Sequence, residues 1–297
     1  MKEALQKIDG GMNVHSISEY MTTDAKDLYL DLLKKTLSFL LWQEPPSPVE
    51  VFNFQNPPFK KFVFSWVSRF LQPTRYRLVQ KKAYSVTQRE DGKIWPLYAE
   101  TMIGLKRLNN LQMCVETVIG DQVKGDLIET GVWRGGACIL MAAVLAANSI
   151  KDRKVYVADS FEGLPRPDAG TFPADSGDKH HEYNAYLAVS QEEVKENFRK
   201  YGLLDDNVVF LKGWFKDTLP SAPIKELAVM RLDGDMYGST MDALTNLYPK
   251  LSRGGFCIVD DYALPGCKQA INDYRAAHGI DAEIQPIDED SVFWRNE

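Results

Sequence analysis

Two short acidic clusters are the residues best suited to chemistry. Asp233-Gly234-Asp235 follows the apolar run LAVMRL, and Asp260-Asp261 follows GFCIV. Carboxylates gathered at one point repel one another unless a cation neutralises them. A set of oxygen donors selects hard cations, Mg²⁺ first, then Mn²⁺ or Ca²⁺. No His lies near either cluster in sequence, and the nearest Cys, Cys257, sits inside the apolar run, which disfavours zinc. A divalent ion there would act as a Lewis acid on a bound hydroxyl. Asp235, two residues beyond Asp233, is then the candidate general base for that hydroxyl's proton. The alternative is structural, because Asp at a strand–helix junction often caps the next helix.

A second constellation is GDLIETGVWRGGA at Gly125–Ala137. A strand ending at Glu129-Thr130 runs into Gly131, where the missing Cβ permits a sharp turn beside a ligand. The pair Gly135-Gly136 lets the following helix start close to the strand. The spacing is E-x-G-x-x-x-G rather than the G-x-G-x-x-G of a pyrophosphate cradle. Glu129 at the turn would repel a phosphate; it suits the cationic amino-acid end of S-adenosylmethionine. Asp159 ends the next strand, where an acid accepts hydrogen bonds from ribose hydroxyls. Taken alone, the loop is also compatible with an ordinary strand–helix turn.

The elements that must position these residues alternate. Strands are expected at Asp126–Thr130, Val155–Asp159, Val208–Lys212, Leu227–Asp233 and Phe256–Asp260. Helices are expected at Ala137–Asn148, Glu192–Tyr201 and Thr240–Leu251. This βαβ order implies a doubly wound parallel sheet covered on both faces. At the C-terminus, Ile284–Ile287 and Val292–Arg295 flank a polar turn and read as a hairpin, so part of the sheet is antiparallel. Functional sites in such sheets collect at the carboxyl ends of the strands, where both acidic clusters fall.

The first 97 residues differ from the rest and are expected to form an N-terminal helical extension to a catalytic domain over residues 98–297. Asp27–Leu41 reads as an amphipathic helix with Thr23 as N-cap. From Val51 to Arg89 there is no Asp or Glu, yet Lys60, Lys61, Arg69, Arg75, Arg77, Lys81, Lys82 and Arg89 are interleaved with aromatics. On a chain of net charge −6 this segment suits an anionic partner such as a carrier-linked sugar or a membrane surface, or it packs as a cap against a second subunit. The net charge argues against nucleic acid as partner. No run of about 20 apolar residues marks a transmembrane helix, and the polar N-terminus lacks a signal core, so a cytoplasmic location is expected. The four cysteines, none in a CxxC pair, are expected to be buried reduced thiols. Phe161–Ser190 is a long connection containing His180 and His181, long enough to be functional. His181 reads either as a substrate contact or as a solvated side chain.

Several stretches, in order, resemble the macrocin O-methyltransferase family, whose members methylate deoxysugar hydroxyls in macrolide and aminocoumarin biosynthesis. They are TMIGLKRLNNLQ (101–112), GDLIETGVWRGGA (125–137), VADSFEGLP (157–165), ENFRKYGLLDDNVVFLKGWFKDTLP (196–220), LAVMRLDGDMYGSTMDAL (227–244) and GGFCIVDDY (254–262). The resemblance implies a class I, Rossmann-like methyltransferase fold and a homo-oligomer. It also implies a Mg²⁺ held by Asp233, Asp260 and Asp261, with Asp235 as base. Thr101 and Met102 would approach the methionine end of S-adenosylmethionine, Glu129 and Gly131 would line the same pocket, and Asp159 would hold the ribose. Ser160 and Trp214 would approach the adenine, and the 161–190 segment would form a lid. Taken alone, Trp214 also reads as a core aromatic. Pro45–Arg89 has no counterpart in the resemblance. A phenol acceptor of the catechol type is the competing substrate class. The absence of a Tyr-x-x-x-Lys pair and the form of the glycine loop argue against a nicotinamide-dependent dehydrogenase, and retention of both acidic clusters argues against a non-catalytic binding module.

Overall fold

A computed structural model describes residues 24–51, 56–81 and 84–297. Its centre is a seven-stranded sheet. The chain enters through α1 (Ala25–Leu37), a short antiparallel pair β1 (Ser47–Pro48) and β2 (Val79–Gln80), and two intervening or following helices, α2 (Pro58–Leu71) and α3 (Val86–Glu90). Then follow α4 (Leu105–Gly120), β3 (Asp126–Thr130), α5 (Gly136–Ala147), β4 (Val155–Asp159), α6 (Asn184–Leu187), α7 (Gln191–Lys200) and β5 (Val208–Lys212). The second half runs α8 (Phe215–Thr218), β6 (Leu227–Leu232), α9 (Tyr237–Leu247), β7 (Leu251–Val259), α10 (Pro265–His278), β8 (Gln285–Pro286) and β9 (Val292–Arg295).

The strand order is β5-β4-β3-β6-β7-β9-β8. The first five are parallel, and β9 runs antiparallel between β7 and β8. Strand order reverses between β3 and β6, which makes the crevice at their carboxyl ends the topological switch point. The two strands that carry the acidic clusters, β6 and β7, are neighbours, with Leu232 opposite Val259. Two apolar clusters cover the sheet's two faces. Leu30, Leu33 and Leu37 of α1 belong to the same buried cluster as Leu108 of α4 and Leu140 of α5.

The structure departs from the sequence reading at element ends. Helix α1 begins two residues earlier, after Asp24, and stops at Leu37; Thr23 lies outside the described residues. Strand β6 ends at Leu232 and β7 at Val259, so the acids sit just past the ladder rather than inside it. Helix α9 starts at Tyr237 rather than Thr240, because the Asp175 carboxylate accepts hydrogen bonds from the Tyr237 and Gly238 N–H groups at 2.6 and 3.0 Å. A cap supplied from 62 residues away cannot be read locally. The same helix stops at Leu247 because Pro249 lacks the N–H needed to continue it. All four cysteines are buried and unpaired with one another. Among the described residues no helix is long and apolar enough to cross a membrane.

Candidate active site

The carboxyl ends of β3, β4, β6 and β7 open into two adjoining cavities that share Met102, Trp133, Leu187, Asp233 and Asp235. The first, about 610 Å³, also contains Gly131, Asp159, Ser160 and Trp214. The second, about 1050 Å³, also contains Thr101, Glu129, Asp260, Asp261 and His180. Apart from His181, every candidate residue of the sequence analysis therefore lines one cavity or the other, with one exception. Gly135 holds a left-handed φ of 86° at the start of α5, but a Cβ there would meet Val194 at 2.7 Å. It shapes the turn and does not line the cleft.

Gly131 is the tightest point of the floor. Its φ is +84°, and a Cβ would lie 1.7 Å from the carbonyl oxygen of Asp233. The turn after β3 thus touches the loop after β6, which only glycine permits. Asp159, half-buried at the end of β4, accepts hydrogen bonds from Val132 N–H at 2.8 Å and Phe161 N–H at 2.6 Å. Burial nevertheless holds its carboxyl above the usual range. The Ser160 hydroxyl also lies within 3.4 Å of its Oδ1, and the carboxylate lines the first cavity. The Ser160 hydroxyl is engaged inside its own turn, donating to Gly163 O at 2.7 Å and accepting from Glu162 N–H at 3.0 Å. Trp214 is half-buried against the first cavity at the start of α8.

The acidic residues converge. One oxygen each from Asp233, Asp260 and Asp261 lies within 4.8 Å of the others. The capping alternative does not hold. Helix α9 has Met236 at its N-cap position and α10 has Leu264, and neither receives a side-chain cap from these acids. Asp235 adopts a left-handed φ of 57°, a conformation Asp reaches more readily than most residues. Its backbone N–H donates to Asp261 Oδ2 at 2.9 Å, which fixes the turn.

One premise of the sequence reading needs correction. The carboxylates do not depend on an external cation alone, because two arginines stand among them. Arg231, 1 % exposed in β6, donates to Glu129, to Asp233 Oδ2 at 2.8 Å and to Asp260. Arg107 of α4 donates to Asp260 Oδ2 at 2.7 Å and Asp288 Oδ2 at 2.7 Å. Neither was singled out from sequence. A charged residue inside the apolar run LAVMRL was the available signal, since buried guanidinium groups are almost always paired. Glu129, 2 % exposed, has both oxygens engaged, one by Arg231 and the other by the Cys138 thiol at 2.9 Å.

The neutralisation is incomplete. Glu129, Asp233, Asp235, Asp260 and Asp261 are five acids facing two arginines. Burial pushes Glu129 up to about 7 against the pull of Arg231. Burial, then the neighbouring Asp260, pushes Asp233 up to about 6. Burial and Asp233 push Asp235 up to about 7, and Asp261 is raised well above the carboxylate range by burial and Asp235. The site is an oxygen-rich pocket with surplus negative charge and proton-accepting groups near neutrality.

The sequence reading weighed His181 as a substrate contact; the cavity is lined by His180 instead. The 160–190 segment that carries it is tied down by the Asp175 cap on α9 and by Asn184, whose carboxamide accepts from Leu164 N–H at 2.9 Å and donates to Leu164 O at 2.8 Å.

Residues 26–296 match the family model of macrocin O-methyltransferase (TylF). The chain is 50% identical over 276 residues to the 8-demethyl-8-(2,3-dimethoxy-alpha-L-rhamnosyl)-tetracenomycin-C 4'-O-methyltransferase of Streptomyces olivaceus, covering 93% of this chain and 95% of that protein. It is 48% identical over 275 residues to the demethyldecarbamoylnovobiocin O-methyltransferase of Streptomyces niveus, covering 92% and 95%. The solved structure of the O-methyltransferase NovP superposes with a TM-score of 0.78 at 47% identity, covering 91% of this chain and 99% of that one. With a class I methyltransferase sheet, a glycine turn beside Asp159 and a family match over nearly its whole length, the chain belongs to the macrocin O-methyltransferase family.

Proposed function

We propose that this enzyme transfers the methyl group of S-adenosylmethionine to a sugar hydroxyl of a glycosylated natural product, with a divalent cation, Mg²⁺ or Mn²⁺, at the acidic cluster. The observation that carries the reading is the adjacency of the two cavities: one with Asp159 and Trp214, the other with the acids, meeting at Met102, Asp233 and Asp235. In the first, Asp159 would accept hydrogen bonds from the ribose, with Ser160 and Trp214 near the adenine. Thr101, Met102 and Gly131 would hold the methionine end, with Glu129, engaged by Arg231 and Cys138, in the wall of the adjoining cavity, and Gly135 sets the turn that places them. The name of the tetracenomycin relative, which specifies a rhamnosyl acceptor, supports a sugar as acceptor.

The donor set fits a hard divalent ion, for three carboxylates within 4.8 Å and a surplus of acids over arginines are what such an ion requires. Asp233, Asp260 and Asp261 would hold it, and it would supply Lewis acidity to the acceptor hydroxyl. Asp235 does the proton chemistry. As the hydroxyl oxygen bonds to the methyl carbon, the carbon–sulfur bond breaks, S-adenosylhomocysteine leaves, and the hydroxyl proton passes to the Asp235 carboxylate. The αL turn and the Asp261 contact hold that carboxylate at the seam between donor and acceptor cavities.

Methyl transfer from S-adenosylmethionine to the two relatives' glycoside acceptors and to catechol, with and without EDTA, tests the reading. Transfer to a glycoside, lost with EDTA and reduced about 100-fold or more by Asp235→Asn, is expected. Transfer that survives both, or that occurs on catechol alone, overturns it. Homo-oligomerisation and contact of the 51–89 segment with an anionic partner are further parts of the proposal. Support comes from Phe59, Phe62, Trp66 and Phe70, which are all exposed on α2 beside Lys60, Lys61 and Arg69. Lys82 lies outside the described residues. Charge reversal at Lys60, Lys61 and Lys81 is expected to weaken anionic-liposome binding or raise the glycoside KM; leaving both unchanged rules out the anionic contact. Sedimentation reads the assembly.

A further inference from the structure

His180 is held more firmly than a solvated side chain needs to be. Its Nδ1 lies 2.7 Å from Asp178 Oδ2, and its backbone N–H donates to Asp178 Oδ1 at 2.9 Å. One carboxylate thus grips both the ring and the chain that carries it. The Asp178 side chain is mostly covered at 17% exposure, and the ring keeps 33%. The stretch is fixed relative to the acidic cluster, because Asp175 binds the N–H groups of Tyr237 and Gly238, only two and three residues beyond Asp235. His180 lines the acceptor cavity with Asp233, Asp235 and Asp261. Among the described residues its Nε2 has no hydrogen-bond partner.

The hydrogen bond at one ring nitrogen sets the role of the other. With Nδ1 turned to the Asp178 carboxylate, Nε2 is the ring atom left to meet a ligand. Many of the carboxylate oxygens on the opposite wall are already engaged by Arg107, Arg231 or the Asp235 N–H. A ligand hydroxyl, which both donates and accepts, pairs with Nε2 in either tautomer.

We propose that His180 is an acceptor-binding residue: its Nε2 hydrogen-bonds a hydroxyl of the acceptor sugar other than the one methylated, and Asp178 is the positioning residue that holds the ring. This rests on the sugar reading above. The consequence is selectivity for sugars with a free hydroxyl in reach of the lid.

The test uses demethyldecarbamoylnovobiocin and methyl α-L-rhamnopyranoside as acceptors, with S-adenosylhomocysteine binding by calorimetry as the check on folding and the donor site. His180→Ala is expected to raise the KM of the glycoside about tenfold, the worth of one hydrogen bond, while kcat and the affinity for S-adenosylhomocysteine stay within about twofold. His180→Gln, which returns a polar atom near the position of Nε2, recovers part of the loss. Asp178→Ala raises the same KM by less, and the double variant is no worse than His180→Ala, because both act through one contact. An unchanged glycoside KM in His180→Ala overturns the proposal and leaves the sugar reading standing. So does a loss confined to kcat or accompanied by lost S-adenosylhomocysteine binding. A wild-type protein that methylates neither glycoside overturns the sugar reading and this inference with it.

Discussion

Arg231 is a single buried cation with three acidic partners, so its removal leaves several charges uncompensated at once. Breaking a buried ion pair from one side costs about 3–5 kcal/mol. Arg231→Met is expected to lower the unfolding free energy by about that much in urea titration; a loss below about 1 kcal/mol would show that the acids neutralise themselves by taking up protons. The raised carboxyl groups give a pH dependence with a definite sign. Asp233, Asp235 and Glu129 hold protons up to about 6, 7 and 7 in the folded state, whereas the unfolded chain releases them near 4. Between those values the folded state binds more protons, so the contribution of these groups to the stability of the metal-free protein falls as pH rises from about 4 through about 7, and Asp261, raised further, extends the fall. Divalent ions compete with the same protons. Melting with Mg²⁺ and with EDTA should therefore show a larger Mg²⁺ stabilisation at pH 7.5 than at pH 5.5. An increment that does not grow with pH would place the ion away from these acids.

At the scale of elements, the site depends on turns that touch one another. Gly131→Ala forces a Cβ into the carbonyl of Asp233 at a left-handed φ, so the β3 and β6 loops must part. The expected result is lost S-adenosylhomocysteine binding in calorimetry together with a lowered melting temperature; intact binding would show that the loops separate freely. Asp175→Ala removes the one side chain that, among the described residues, satisfies the first N–H groups of α9. Loss of such a cap costs about 0.5–2 kcal/mol, readable by denaturant unfolding.

Over the whole molecule the charge and apolar surface are uneven. Helix α2 has no buried residue, and Phe59, Phe62, Trp66 and Phe70 are 64–78% exposed. Helix α1, in contrast, sends Leu30, Leu33 and Leu37 into the main core. The two helices should respond oppositely to truncation. Leu30→Ala is expected to cost about 2–5 kcal/mol, and Trp66→Ser with Phe70→Ser less than about 0.5 kcal/mol each. A large loss from the α2 pair would mean that its aromatic stripe is covered in solution.

The five parallel strands, the C-terminal hairpin and both acidic clusters were legible in the sequence, because each depends on local pattern: apolar runs of strand length, polar turns, and acids placed directly after a run. Asp233, Asp260 and Asp261 could be nominated together only on the condition that their strands were neighbours, and tertiary structure met that condition by pairing β6 with β7. What local pattern could not carry was anything made by partners distant in the chain. Arg231 neutralising Glu129 across 102 positions, Arg107 reaching Asp260 across 153, and Asp175 capping α9 across 62 are such contacts. Likewise the choice of His180 over its neighbour follows from which ring the folded 161–190 segment turns toward the acids. The sequence determined which chemical groups stand at the ends of strands; folding determined which charges face one another, since electrostatic energy depends on separation in space and not along the chain.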